Sequence, residues 1–240
     1  MSPTGTLPTG STVEKWLQTL PPSQPTVLFL FASEPESGRR ASEAVYAALR
    51  ACQSAYAQLR CVSLDVATDS DASGPTVATL LRAYAVESAP TVLYFASGAP
   101  EPSERVVGAW PARVSAAAER LVQEDAEKQA RVRARIERLL ASHPVMLFMK
   151  GTPETPRCGF SKQMVQLLMQ EMPLPTDSLG TFDILEDEEI RQGLKAYANW
   201  PTYPQLYVKG ELLGGLDICR QLASTGELQK VVREATSSPN

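Results

Sequence analysis

Short apolar runs alternate with amphipathic segments along the whole chain. Runs of about four to eight apolar residues between turn residues indicate buried strands, and longer segments with a helical period indicate helices. In the first half this pattern predicts strands at 25–31, 62–66, 88–95 and 105–108, and helices at 40–59, 77–84 and 111–123. The first half therefore opens as a β-α-β unit.

The second half repeats the same order of elements. It predicts a helix ending at 140, strands at 145–149, 181–184 and 204–210, and helices at 158–171 and 188–197. In each half a proline, Pro90 or Pro204, enters a short apolar strand that a glycine follows. We therefore predict two copies of one α/β fold. Segment 123–138 is charged and lacks Gly and Pro, so we expect a helical connection, with the domain boundary near 124–127.

Composition narrows the class of protein. The chain has 240 residues, 43% of them hydrophobic, and a net charge of -4. These values are typical of a globular protein of two domains, and no apolar run approaches the roughly 20 residues of a membrane span. The acidic balance argues against nonspecific nucleic-acid binding, which needs basic surface. Four scattered cysteines favour a reducing compartment, the cytosol or the nucleus, and we expect Cys52 and Cys61 to lie in a core.

One cysteine stands where a thiol can be reactive. Cys158 follows the apolar run 145–149 and precedes an amphipathic helix. A cysteine at a helix N-terminus is stabilised as thiolate by free backbone N–H groups, and a nearby cation such as Lys150 lowers its pKa further. A redox motif with two cysteines has the second one three residues later, and that position is Ser161. Cys158 can therefore attack or ligate, but it cannot close a local disulfide.

Four motifs surround this cysteine in the sequence. They are Lys150-Gly151-Thr152-Pro153, Cys158-Gly159-Phe160-Ser161, Trp200-Pro201-Thr202-Tyr203-Pro204-Gln205-Leu206 and Gly214-Gly215-Leu216-Asp217. In this order they resemble the monothiol glutaredoxins of the Cys-Gly-Phe-Ser type, over about 127–233. The first half resembles the thioredoxin fold more loosely. The resemblance implies two tandem thioredoxin-fold domains, each a small mixed β-sheet flanked by helices: a domain at 11–123 without active-site cysteines, and a monothiol glutaredoxin domain at 127–235.

The resemblance also implies a glutathione site beside Cys158. In the family, basic residues meet the glycyl carboxylate, the residue before a cis-proline pairs with the cysteinyl backbone, and a helix N-terminus meets the γ-glutamyl end. The matching positions, with the phenylalanine of the cysteine motif, are Lys150, Phe160, Arg191, Tyr203, Pro204, Leu216 and Asp217. A dianionic peptide with one ammonium group needs such cations, N–H donors and a carboxylate. Two alternatives stay open: Arg191 as an ordinary solvated helix charge, and Pro204 as the start of an edge strand.

The main functional hypothesis is binding and transfer of a [2Fe-2S] cluster, with a role in iron homeostasis and iron-sulfur protein maturation. Such a cluster is usually held by four thiolates, and one domain with its glutathione offers two. The resemblance implies a homodimer bridged by the cluster, with Cys158 and glutathione as ligands. It also implies a heterodimer with a BolA-like protein, and iron-sulfur apoproteins as recipients.

The sequence is compatible with two further functions. In the alternative hypothesis the protein is a weak glutathione-dependent oxidoreductase, in which Cys158 attacks protein-glutathione mixed disulfides.

In the first domain, the loop at 31–38, where a thioredoxin carries two cysteines, contains none. Thiol-disulfide exchange is chemically excluded at that loop, so we expect the first domain to serve as a docking or targeting module.

Overall fold

The computed structural model describes residues 24–66, 77–171 and 178–237. The predicted start of the first domain at residue 11 lies outside them. The chain divides into two compact units, Met1–Lys128 and Gln129–Asn240. Each unit contains one four-stranded sheet.

The first unit is built on four strands and the helices between them. Its elements are β1 (Thr26–Phe31), α1 (Glu36–Ala55), β2 (Arg60–Asp65), α2 (Val77–Ala83), β3 (Thr91–Phe95), β4 (Glu104–Val107) and the start of α3 (Pro111–Ala141). The strand order is β2-β1-β3-β4. β2 runs parallel to β1, while β3 and β4 are antiparallel to their neighbours.

The two faces of this sheet bury separate hydrophobic clusters. Side chains alternate across a strand, so Val27 and Phe29 of β1 point to one face, where residues of α1 and α3 cover them. Leu28 and Leu30 point to the other face and pack with Leu80 of α2. The near-continuous apolar composition of β1 follows from this burial on both faces.

The second unit repeats this arrangement. Its elements are β5 (Val145–Met149), α4 (Gly159–Gln166) with a π-helical turn (Leu167–Glu171), β6 (Leu179–Asp183), α5 (Glu188–Ala198), β7 (Gln205–Val208), β8 (Glu211–Gly214), α6 (Leu216–Thr225) and α7 (Glu227–Thr236). The strand order is β6-β5-β7-β8, with β5 and β6 parallel and the other pairs antiparallel. Both units therefore have the thioredoxin-type α/β sheet, which confirms the predicted fold class.

Several predicted boundaries were wrong. α1 begins at Glu36 and ends at Ala55, four residues earlier at each end than predicted, because the Pro35 carbonyl accepts the N–H groups of Gly38 and Arg39 and so starts the helix there. The π-helical turn replaces the end of the predicted helix 158–171. The predicted helical connection is confirmed, since one helix, α3, runs through 123–138. Cys52 is buried as expected, whereas Cys61 is half-buried because it sits on the outer strand β2.

Candidate functional site

The predicted site residues lie at one edge of the second sheet, where β5, β6 and β8 end and β7 begins. β5 and β6 are parallel, so Met149 and Asp183 end side by side. β7 is antiparallel to β5, so it begins at this edge, and β8 ends there because Leu206 lies opposite Gly214. The segments that carry Lys150, Cys158 and Phe160, then Tyr203 and Pro204, and then Leu216 and Asp217 all leave or enter the sheet at this edge.

Cys158 is held as a reactive thiol at this edge. It is the N-cap of α4, with extended backbone (φ -151, ψ 138), and its side chain is half-buried. The backbone N–H of Ser161 lowers the pKa of Cys158 most, against a smaller effect of burial, and the Phe160 N–H, the Lys150 charge and the Ser161 hydroxyl lower it further. Cys219 is fully buried instead, and burial raises its pKa to about 12.

The segment between β5 and α4 is anchored at both ends. The Gly151 N–H donates to Asp183 Oδ1 at 2.9 Å, and the Leu185 N–H donates to the same oxygen at 2.9 Å. The Arg157 N–H donates to the Lys150 carbonyl at 2.9 Å. A carboxylate at the end of β6 therefore fixes the loop that delivers Cys158 to its N-cap position.

Ser161 has a second role that its sequence position did not reveal. Its side chain is fully buried, and its Oγ accepts the Lys150 N–H at 3.1 Å. The hydroxyl thus links the first turn of α4 to the end of β5. Sequence reasoning missed this bond and the anchoring by Asp183. The available signals were a polar residue where the apolar face of α4 begins and an acidic residue in the predicted strand 181–184.

The Tyr203–Pro204 peptide bond is cis, as the resemblance implied. Tyr203 is buried, and its hydroxyl donates to the Arg191 carbonyl at 2.7 Å. Burial raises the pKa of Tyr203, and its hydroxyl remains a hydrogen-bond donor. The buried Gln205 amide donates to the carbonyls of Trp200 and Thr202, both at 3.1 Å, and so holds the turn that precedes β7.

Arg191 lies on α5 and is partly buried. Its side chain is 32% exposed, and its Nη1 lies 3.0 Å from Glu188 Oε2. Its Nε is buried and has no hydrogen-bond partner among the residues that the structure describes. The Glu188 contact was not predicted, although the spacing of three residues on one helix is the signal that could have found it.

The first turn of α6 lies next to the cis-proline. Gly215 is the N-cap of α6, and a Cβ added there would lie 3.6 Å from the Pro204 carbonyl oxygen. Leu216 is buried and Asp217 is exposed in this first turn. Phe160 in the first turn of α4 is also exposed, at 60%. The structure thus brings the N-termini of α4 and α6 and the cis-proline to one edge.

The corresponding edge of the first unit has the same construction without a thiol. The Ser33 N–H donates to Asp65 Oδ1 at 3.1 Å, as Gly151 does to Asp183, and the Ala89–Pro90 peptide bond is cis. Pro35 occupies the N-cap position of α1 that Cys158 occupies on α4. The prediction that no cysteine stands at this loop follows directly from the sequence, and the structure adds that a proline takes its place.

The part of the chain that the structure describes lacks a cluster of metal ligands and a membrane-spanning helix. Residues 24–66, 77–171 and 178–237 contain no group of three or more His, Cys, Asp or Glu side chains that could hold a metal ion. Within the same ranges, each helix is too short or too polar to span a bilayer.

Comparison with known proteins places this site in a family. Residues 145–213 match the glutaredoxin family. The chain is 49% identical over 106 residues to an uncharacterised ycf64-like monothiol glutaredoxin of Synechocystis sp., an overlap that covers 44% of this chain and 95% of that protein. The chain belongs to the monothiol glutaredoxin family. Its thiol motif, Cys158 with Ser161 three residues later, is consistent with the monothiol name.

Other monothiol glutaredoxins and their relatives match different shares of the chain. Glutaredoxin 3 of Danio rerio is 43% identical over 165 residues, which cover 65% of this chain and 48% of that protein. The chain therefore spans about half the length of that relative. The solution structure of reduced apo GrxS14 from poplar is 44% identical, covers 45% of this chain and 94% of that chain, and superposes with a TM-score of 0.39.

Proposed function

We propose that the edge of the second sheet binds glutathione beside Cys158. The observation that carries this proposal is a thiol of lowered pKa at a helix N-cap, with a cis-proline and a second helix N-terminus at the same edge. Lys150 and Arg191 supply positive charge for the glycyl carboxylate, and the backbone at Tyr203 pairs with the cysteinyl residue. The N–H groups of α6 and the Asp217 carboxylate receive the γ-glutamyl end, and Leu216 and Phe160 border the peptide.

We further propose that the bound glutathione and Cys158 together hold a [2Fe-2S] cluster for transfer. The donor set supports this reading. Cys158 combines a lowered pKa with partial exposure, as a metal thiolate requires, and the described residues contain no group of three or more His, Cys, Asp or Glu side chains that could hold a metal ion. The remaining thiolates must come from outside the chain. Two copies, each with one glutathione, supply the four thiolates that such clusters usually need.

The partners and the location belong to the same proposal. A homodimer bridged by the cluster and a heterodimer with a BolA-like protein both place a second ligand set over Cys158, and iron-sulfur apoproteins are the recipients. All four cysteines are unpaired, which favours the cytosol or the nucleus, where thiols stay reduced. In this proposal the protein serves iron homeostasis and iron-sulfur protein maturation.

Anaerobic reconstitution tests the proposal. The full chain is incubated with iron, sulfide and glutathione, and visible absorption and molecular mass are measured together. We expect a coloured dimer that needs glutathione, and a colourless monomer for Cys158→Ser. Cys61→Ser, which removes a half-buried thiol in the first unit, is the matched control and should stay coloured. Colour and pairing in Cys158→Ser, or their absence in the unsubstituted chain, would contradict the proposal.

The lowered pKa of Cys158 also favours a second function, reduction of protein-glutathione mixed disulfides. The thiolate attacks the glutathione sulfur and releases the protein thiolate; the thiolate of a second glutathione then attacks the resulting mixed disulfide, regenerates Cys158 and leaves oxidised glutathione. A glutathione-coupled reductase assay separates the two functions. Brisk turnover by the cluster-free protein favours this one, whereas slow turnover favours cluster transfer.

We propose a docking role for the first unit, because Pro35 replaces a thiol at the N-cap of α1. Deletion of residues 1–123 tests this role. Loss of protein partners with retention of the second unit's cluster chemistry is the expected result. Unchanged partners and an unchanged cellular effect would contradict it.

A further inference from the structure

The Glu188 carboxylate contacts Arg191, the cation that the proposed function assigns to the glycyl carboxylate of glutathione. Glu188 lies in the first turn of α5, three residues before Arg191, and its Oε2 is 3.0 Å from Arg191 Nη1. Its other oxygen, Oε1, accepts a hydrogen bond from the Gln192 amide. The contact therefore has a defined geometry, in which one carboxylate oxygen bonds the arginine and the other bonds a neighbour on the same helix.

Glu188 contacts one terminal nitrogen of the Arg191 guanidinium, Nη1. A guanidinium binds a carboxylate through a pair of adjacent N–H groups. The Nε of Arg191 is buried and has no partner among the described residues, so an incoming ligand does not reach that nitrogen without movement of the side chain. Nη1 belongs to the outer edge, and this is the nitrogen that Glu188 contacts. A ligand carboxylate that binds Nη1 at this edge therefore competes with Glu188 for the same nitrogen.

The backbone of Arg191 is held by two hydrogen bonds, whereas the Glu188 side chain is mostly exposed. The Arg191 N–H donates to the Asp187 carbonyl at 2.9 Å, and the Arg191 carbonyl accepts the Tyr203 hydroxyl at 2.7 Å. The Glu188 side chain is 64% exposed, compared with 32% for Arg191. Displacing Glu188 into water therefore requires rotation of one exposed side chain and loss of its bonds to Arg191 and Gln192, with no rearrangement of α5.

We propose that Glu188 is an internal competitor for glutathione: its carboxylate holds Arg191 in the free protein, and the glycyl carboxylate of glutathione replaces it on binding. This inference rests on the proposed function, because it takes glutathione as the ligand of Arg191. Glu188 weakens affinity for glutathione, so it sets the concentration range over which the site fills. It acts on the glycyl end of the peptide and leaves the γ-glutamyl end untouched.

Glu188→Gln is the decisive variant. It keeps the length of the side chain and removes the charge that competes for Arg191. An exposed ion pair of this kind has a strength that corresponds to about a two- to fivefold change in affinity. We therefore expect Glu188→Gln to lower the dissociation constant for glutathione about two- to fivefold, measured by isothermal titration calorimetry on the full chain.

The neighbouring residue provides a matched control. Glu189 has the same charge, lies one position further along α5 and pairs with Arg135 at 3.5 Å. Glu189→Gln changes the net charge equally and keeps the Glu188–Arg191 pair, so we expect its affinity for glutathione to stay near that of the unsubstituted chain. A second control is glutathione esterified at its glycyl carboxylate. This ligand does not compete for the guanidinium, and the gain from Glu188→Gln should vanish with it.

The direction in which Glu188→Gln changes the affinity for glutathione shows whether Glu188 competes with the ligand or helps to bind it. If Glu188 orients Arg191 for the ligand, Glu188→Gln will weaken glutathione binding, and the proposal is overturned. Unchanged affinity, or an equal gain in Glu189→Gln, overturns it as well. A failure of the proposed function is distinguishable, because the unsubstituted chain would then show no heat of binding with glutathione.

Discussion

Gly151, in the loop before Cys158, has no room for a side chain. Its φ of +83° belongs to the left-handed region. A Cβ at this position would lie 2.3 Å from the Thr155 carbonyl oxygen and 2.7 Å from the Arg157 backbone nitrogen. Both contacts are with backbone, so Gly151→Ala requires the loop itself to move.

The chain offers a control with the same backbone strain and no crowding. Gly210, in the turn between β7 and β8, has a φ of +82°, and a Cβ there meets nothing within 4 Å. Left-handed backbone at a residue with a side chain costs about 1–3 kcal/mol, which Gly210→Ala should show alone. Overpacking adds about 1–3 kcal/mol, so we expect Gly151→Ala to destabilise the second unit by that much more.

Hydrogen exchange of the β5 amides measures this difference within the second unit. We expect the free energy of opening to fall more in Gly151→Ala than in Gly210→Ala. The displaced loop should also raise the pKa of Cys158 towards 9.0, because Lys150 and the N-cap geometry that lower this pKa depend on the loop. Alkylation of Cys158 as a function of pH reports that change. If the two variants lose equal free energy of unfolding and the alkylation of Cys158 is unchanged, the reasoning that the tightly packed loop at Gly151 positions the thiol is refuted.

Three further predictions concern thiol ionisation. At pH 8 iodoacetamide should label Cys158 at least about 10³-fold faster than Cys219, because a pKa of about 12 leaves only about 10⁻⁴ of Cys219 as thiolate. Comparable labelling of the two cysteines in peptide maps would contradict this. Lys150→Met should move the alkylation midpoint of Cys158 upward, whereas Lys162→Met, on an exposed cation of α4, should change it less; equal shifts would exclude a specific effect of Lys150. Between pH 9.0 and about 12 the folded protein keeps the Cys219 proton, whereas the unfolded chain releases it. The free energy of unfolding of the second unit should therefore fall by about 1.4 kcal/mol for each pH unit of increase in that window. Urea unfolding of the protein and of Cys219→Ala at pH 8 to 11 checks this, and an identical slope for both would contradict it.

Local patterns in the sequence were sufficient for much of the fold. β5 was predicted at 145–149 and is observed there, because its five apolar residues are bounded by Pro144 and Lys150. The Cys158 N-cap was predicted from the same local signals, a strand followed by turn residues and an amphipathic helix. The boundaries of α1 were wrong because the bonds at Pro35 that start the helix are not visible in the hydrophobic period.

The sequence by itself determined which unit can carry thiol chemistry at this loop, since 31–38 contains no cysteine and Cys158 precedes the corresponding helix of the second unit. Only the tertiary structure decided how the thiol is held and what its neighbouring cation contacts. Asp183 anchors Gly151 across 32 residues of chain because β5 and β6 pair in register, and Tyr203 reaches the Arg191 carbonyl from a different segment. Such contacts depend on the pairing of distant segments, and the residues that make them have no shared pattern along the chain.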